Sequence, residues 1–309
     1  MTTKVEHHAN RFVIEFGISG LAAGVSKTIA SPIEVIKSRL QLQQALLEKG
    51  TIKNPYGGII DCFKRLYQEE GMRAYYKGNL TNVLRYFPTQ AFNFAFKDFF
   101  ARKMSKGQGN ADFWTRLTNS MVSGSIAGAS TQFFVYPLDY TRVRLTNDVM
   151  SGSGKKQFNG IMDCMRATYH SDGIRGIYRG FLVTCFYMML YRGCYFGLND
   201  SIKPTLPHWV LDSLFYNFLV GYAITVTSGI FSYPFDTVRR RMMMSSGEKH
   251  IFTSSFDCFR FLYQWHGLPA FFGGVGANVL RGVTGAGVLT IYDRLQTVLF
   301  GKQYVVSKE

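Results

Sequence analysis

One short pattern, Pro-x-acid-x-x-base, recurs three times in this chain and limits its fold more than any other feature. It reads Pro32-Ile33-Glu34-Val35-Ile36-Lys37, Pro137-Leu138-Asp139-Tyr140-Thr141-Arg142 and Pro234-Phe235-Asp236-Thr237-Val238-Arg239. Other landmarks keep step with it. Asp-Cys pairs stand at Asp61-Cys62, Asp163-Cys164 and Asp257-Cys258. A glycine follows each Asp by ten residues (Gly71, Gly173, Gly267) and another follows seven later (Gly78, Gly180, Gly274). Spacing kept three times over marks one structural unit of about a hundred residues in tandem, each burying its apolar face against its neighbours. The expected fold is an all-α membrane domain over residues 1–309, with six transmembrane helices around a pseudo-threefold axis. Its repeat units are approximately 11–106, 113–206 and 211–302.

Each unit reads as a long helix through the Pro motif, a short surface helix carrying Asp-Cys, and a second long helix after the second glycine. The spacing predicts long helices over 11–42, 77–103, 114–146, 180–203, 211–244 and 274–300, with a kink at each motif Pro because Pro removes a backbone donor. The mean hydropathy of -0.01 does not signal a membrane protein. The local runs do. No charged residue interrupts the 22 positions between Arg116 and Asp139 or the 23 between Asp212 and Asp236, and about 20 suffice to cross a bilayer. Isolated charges in the other apolar stretches, such as Lys27, Arg85, Arg192 and Arg281, are costly in lipid and should face an aqueous cavity. The formal net charge of +15 attracts anions. With no zinc-finger spacing and no basic run of nucleic-acid type, those anions are acidic lipid head groups or an anionic solute. The three aligned cysteines read as small buried packing residues, not metal ligands. The first ten residues are polar, so no cleavable signal peptide is expected.

With these motifs the chain resembles the mitochondrial carrier family, from about Phe12 to Phe300. Within that family, the run Arg239-Arg240-Arg241-Met242-Met243-Met244 is similar to the signature of the members that exchange ADP for ATP, as are GVSKTIASPIEVIK, LRYFPTQAFNFAFKD and YRGCYFG. The resemblance implies a multi-pass protein of the mitochondrial inner membrane with both termini on the intermembrane-space side. It implies alternating access: a gate on each side of one central site. Glu34, Asp139 and Asp236 would close the matrix side as a ring with Lys37, Arg142 and Arg239, each acid reaching the base of the next unit, with Gln41 as a brace. The cytosolic-side gate is weaker. Its acids are Asp98, Asp200 and Asp293, but three residues on stand Ala101, Lys203 and Gln296. Only Lys203 can pair fully, with Asp293; Gln296 can hydrogen-bond Asp98, and Tyr292 keeps the aromatic place.

Fourteen residues on from Gly71, Gly173 and Gly267 stand Arg85, Tyr187 and Arg281, at one depth on the even helices. Two Arg forks suit phosphate, and Lys27 adds a point charge. By resemblance Lys27, Arg85 and Arg281 bind phosphate, Tyr191 stacks on adenine, Ser232 contacts base or ribose, and Arg240 adds a cation; Arg192 and Arg144 are further cavity candidates. Tyr187-Met188 departs from the family, which has a Gly and an aliphatic residue there. Either the base stacks between Tyr187 and Tyr191 or the pocket is partly filled. Family members bind cardiolipin at helix N-termini, here around Gly58, Gly78, Gly160 and Gly180, with a worn third unit in which His266 replaces the acid of Glu70 and Asp172. No cofactor, no metal, no nucleic acid and no enzyme activity is expected: there is no GxxxxGK[ST] run and no supported nucleophile. The expectation is a monomeric exchanger of cytosolic ADP for matrix ATP. The competing readings are a carrier of another nucleotide-like anion, and a carrier-fold subunit of a larger respiratory assembly with little transport.

Overall fold

A computed structural model describes residues 2–105, 113–149, 157–202, 205–207, 213–247, 252 and 254–282. All regular structure among them is helical. The first unit contains α1 (Thr2–Gln41), a short α2 (Gln43–Glu48), the surface helix α3 (Ile59–Glu70) and α4 (Asn79–Ser105). The second contains α5 (Phe113–Thr146), α6 (Ile161–Ile177) and α7 (Phe181–Ile202). The third contains α8 (Leu214–Met244), α9 (Ser255–His266) and the start of α10 over 275–282. The remainder of the expected sixth helix lies outside the described residues. The first helix starts nine residues earlier than the predicted 11–42, and α2 was not predicted.

The repeated glycines are explained by backbone conformation. Gly71, Gly173 and Gly267 have φ of 74°, 65° and 70°, in the left-handed region that side chains disfavour. Each ends the surface helix, and a 3-10 turn follows in units one and three, over Met72–Tyr76 and Leu268–Phe272. In unit two the same break sits inside α6 at Gly173. The second glycines also have positive φ and lie against a neighbouring unit. A Cβ on Gly78 would meet the Arg142 carbonyl at 3.1 Å, on Gly180 the Arg239 carbonyl at 3.1 Å, and on Gly274 the Lys37 carbonyl at 2.8 Å. The contact runs from unit one to two, two to three, and three to one. That cyclic order closes the bundle, and it touches the base of each Pro motif.

The long helices run on through Pro32, Pro137 and Pro234. Pro137 cannot donate to the Phe133 carbonyl one turn back, and the Tyr178 hydroxyl donates to it instead at 3.1 Å. The even helix of one unit packs along the odd helix of the next, α4 on α5 and α7 on α8. Unit three meets unit one where its 3-10 turn packs on α1. Cys62, Cys164 and Cys258 are fully buried beneath the surface helices. Burial pushes their thiols up to about 12, 11 and 12. They pack within the hydrophobic core. Phe181–Asn199 and Phe218–Met244 are long and apolar enough to cross a membrane. Leu80, Leu182, Phe215 and Phe231 point outward from the bundle, as lipid-facing side chains do.

Candidate functional site

At the Pro-motif end the odd helices converge, and a spacing of three residues, a little under one turn, puts each acid and base on one face. Lys37 Nζ donates to Asp236 Oδ2 at 3.2 Å, joining unit one to unit three. Arg142 pairs with Glu34, joining unit two to unit one. Gln41 Nε2 donates to the same Asp236 oxygen and to Thr237 Oγ1, both at 3.0 Å, so it braces the first of these pairs. Lys37, Gln41 and Asp236 are all buried.

The third pair of the expected ring is not made. Arg239 Nε turns back to Asp236 Oδ1 on its own helix at 2.7 Å, and its guanidinium carbon lies 4.7 Å from the centre of the Tyr187 ring. Asp139 is held instead by Arg85 of α4 and by Gln132 Nε2 at 2.7 Å. The physical reason is competition: a carboxylate this deeply buried needs a cation, and Arg85 is the one that reaches it.

At the ring lies a cavity of about 200 Å³ lined by Glu34, Lys37, Arg85, Asp139, Arg142, Tyr187, Arg239, Arg240 and Arg281, among others. Six of these nine are basic. Arg85 is one of the lining residues, and its Nε is buried without a hydrogen-bond partner. Lys27 Nζ reaches Asn82, by its carbonyl at 3.4 Å and its Oδ1 at 3.5 Å, and stands 5.4 Å from the Tyr86 ring centre. Asn82 Nδ2 in turn donates to Glu34 at 3.1 Å. Arg281 lies near Asn278 Oδ1 at 3.4 Å, and Arg240 Nε donates to Asp236 at 3.2 Å.

On α7 the rings of Tyr187, Tyr191 and Tyr195 stack along the helix, with centroids 6.3 and 6.4 Å apart. Met188 is half-buried beside them, and Arg192 is exposed, its Nη1 3.3 Å from where a Cβ on Gly128 would stand. Two expectations are corrected. Ser232 is fully buried and its hydroxyl donates to the Ser228 carbonyl at 2.9 Å, one turn back on α8, so it is spent within its own helix. Arg144 does not face the cavity: Nη1 donates to the carbonyls of Met244 and Ser246 at 2.8 and 2.9 Å and caps the end of α8.

The Arg-Met run divides its tasks around the helix. Arg239 and Arg240 face the ring, Arg241 pairs with Glu48 of α2, and Met242, Met243 and Met244 are buried. Asp98 and Asp200 fall on α4 and α7, but their side chains lie outside the described residues, as do Lys203, Tyr292, Asp293 and Gln296 altogether.

Gly58 and Gly160 precede α3 and α6 with no side-chain cap, leaving the first N–H groups of these helices open. Gly78 and Gly180 precede α4 and α7. At α9 the Ser254 hydroxyl takes the Asp257 N–H, so one such donor is already used.

Sequence reasoning missed two signals. One is a polar residue four beyond each second glycine, Asn82, Thr184 and Asn278, the first of which ties Lys27 to Glu34. The other is a base five beyond each motif acid: Arg39, Arg144 and Arg241. Arg39 forms a buried pair with Glu70 at 3.1 Å, while Lys77 also pairs with Glu70 and Arg179 with Asp172 at 3.1 Å. In unit three His266 stands in place of the acid and Gly273 in place of the base; Glu48 from unit one supplies the carboxylate, meeting both Arg241 and His266, the latter at 2.9 Å.

Comparison with known proteins bears on what this arrangement serves. The family model described as "Mitochondrial carrier protein" matches at residues 8–108, 113–208 and 211–303. The chain is 48% identical over 302 residues to "ADP,ATP carrier protein 2, mitochondrial" of Zea mays, covering 97% of this chain and 78% of that protein. It is 50% identical over 297 residues to the protein of the same name from Arabidopsis thaliana, covering 95% and 77%. It is 48% identical over 297 residues to "ADP,ATP carrier protein" of Chlamydomonas reinhardtii, covering 95% and 96%. Three matched segments with one ring of motif charges between them leave a single conclusion: the chain belongs to the mitochondrial carrier family.

Proposed function

We propose that this protein exchanges ADP for ATP across the mitochondrial inner membrane by alternating access. As a member of the carrier family it is a transporter and not an enzyme. The observation that carries the nucleotide reading is the cavity at the ring, which Arg85, Arg240 and Arg281 line together. It occurs in a chain about half identical to proteins named ADP,ATP carriers. Arginine forks bind phosphate oxygens two at a time. Lys27 supplements them from α1. The tyrosine stack on α7 offers ring faces to a base, with Tyr191 and Tyr187 the nearest to the cations.

The ring of Glu34, Lys37, Asp139, Arg142, Asp236 and Arg239, braced by Gln41, serves as the matrix-side gate. The Asp98, Asp200, Lys203, Tyr292, Asp293 and Gln296 group serves as the cytosolic-side gate, and both termini face the intermembrane space. The site is formed within one chain, which supports transport by a monomer. Cardiolipin binds the open helix N-termini near Gly58, Gly78, Gly160 and Gly180, and less firmly at the third unit, where Ser254 occupies one donor.

The test is reconstitution of the purified chain in liposomes loaded with ATP, followed by uptake of labelled ADP. Uptake that requires internal ATP or ADP is expected. Uptake that is equally fast from empty liposomes, or absent, defeats the reading.

A further inference from the structure

The ring is completed at two positions and diverted at the third, and the diversion centres on residue 187. Threefold symmetry would set Arg239 against Asp139. Arg239 instead lies between two other attractions. Its Nε donates to Asp236 Oδ1 at 2.7 Å, and its guanidinium carbon stands 4.7 Å from the Tyr187 ring centre. A cation within about 6 Å of an aromatic face is drawn to it, more so away from water. The residues at the same depth in the other units are Arg85 and Arg281, which repel a ring cation where Tyr187 attracts one. The packing of α7 along α8 brings Tyr187 to Arg239. Asp139, buried, is then closed by Arg85 and Gln132.

We propose that Tyr187 is a positioning residue that holds Arg239 off Asp139, so that Arg85 serves both as the third lock of the ring and as a donor to the substrate anion. The consequence is direct coupling. A phosphate that draws Arg85 away unlocks Asp139, because Arg239 is held elsewhere and does not replace it. With no ring at residue 187, Arg239 closes on Asp139 and that lock no longer depends on Arg85. This deepens the nucleotide-exchange reading and rests on it for the identity of the anion. The geometry of Arg239, Tyr187, Asp139 and Arg85 stands independently of that identity.

The test is a double-substitution cycle on the full-length purified protein in detergent, without nucleotide, read as the thermal unfolding midpoint. In the native background Arg85→Gln should lower the midpoint by about 3 °C, since it leaves a buried carboxylate short of its cation. In the Tyr187→Leu background the same change should cost under about 1 °C, because Arg239 takes over. Tyr187→Phe keeps the ring and should keep the native dependence on Arg85. If Tyr187→Leu does not fold, Tyr187→Met serves as the ring-free background. Equal losses in both backgrounds overturn the proposal, and so does a Phe variant that behaves like Leu. A purely packing role for Tyr187 would not couple it to Arg85. In liposomes, Tyr187→Leu should lower the maximal exchange rate more than it raises KM; a change in KM alone counts against the proposal. Failure of the native chain to exchange ADP for ATP would defeat the nucleotide reading and leave the cycle standing.

Discussion

Among the described residues, Asp236 is the carboxylate with the most cations paired to it. Lys37, Arg239 and Arg240 all donate to it, at 3.2, 2.7 and 3.2 Å, and Gln41 adds a fourth contact at 3.0 Å. Removing the one anion strands three cations, whereas removing one cation leaves the anion paired. Asp236→Asn should therefore cost about 3–5 kcal/mol, the range for breaking a buried pair, and Lys37→Met clearly less. Thermal unfolding of the two variants checks the order. A second consequence concerns the aligned thiols. Cys62, Cys164 and Cys258 are neutral in the fold because burial raises them from near 9 to about 12, 11 and 12. A raised acid stabilises the fold fully below its unfolded value and loses that contribution as pH climbs through its folded one. Stability should fall between about pH 9 and pH 12, and less so in a variant with all three cysteines changed to alanine. A maleimide at pH 7 should leave these three thiols unmodified until the protein unfolds.

At the scale of elements, the third repeat differs from the first two in a coordinated way. Units one and two end their surface helices with an acid that pairs with a base seven residues on, Glu70 with Lys77 and Asp172 with Arg179. Unit three has His266 and Gly273 at these positions, so the pair is lost from both sides together. A side chain at 273 would not fit, since its Cβ would meet the Leu40 carbonyl at 2.9 Å. The carboxylate that Arg241 needs comes from Glu48 at the end of α2. Restoring the acid should therefore harm the fold. His266→Glu would set a second carboxylate against Glu48, 2.9 Å from the present ring nitrogen, and cost about 1 kcal/mol at this partly exposed site. Adding Glu48→Gln should recover most of that loss. Recovery in a melting assay supports the cross-unit tie; His266→Glu that stabilises the protein refutes it.

The whole molecule is a ring of three units whose charges converge at one end and whose apolar side chains face outward. Exchange of metal-free ADP for ATP moves about one net charge per cycle, and one charge across 100 mV is worth about 2.3 kcal/mol. In liposomes an imposed potential, inside positive relative to outside, should slow ATP efflux against ADP uptake, and the opposite polarity should speed it. Rates indifferent to potential would mean that a compensating charge travels with the nucleotide.

The repeat was legible from the chain alone, because two spacings recur in every unit: Pro to acid to base within the motif, and Asp-Cys to the two glycines that follow it. So were the two closed ring pairs, since an acid and a base three residues apart on a helix share a face and threefold symmetry supplies the partner. The brace from Gln41 to Asp236 was instead what the family resemblance implied. What the chain did not reveal were the places where symmetry fails. Whether Asp139 meets Arg239 or Arg85 turns on a ring from a different helix, a contact without sequence spacing to announce it. Ser232 and Arg144 were misplaced because a residue's number gives its position along a helix, while its partner is chosen by which neighbour leaves a backbone oxygen or a charge unpaired. Sequence by itself determined the three units and their family. Tertiary structure decided which cation closes each acid, because buried charges pair with whatever reaches them at the lowest cost in desolvation.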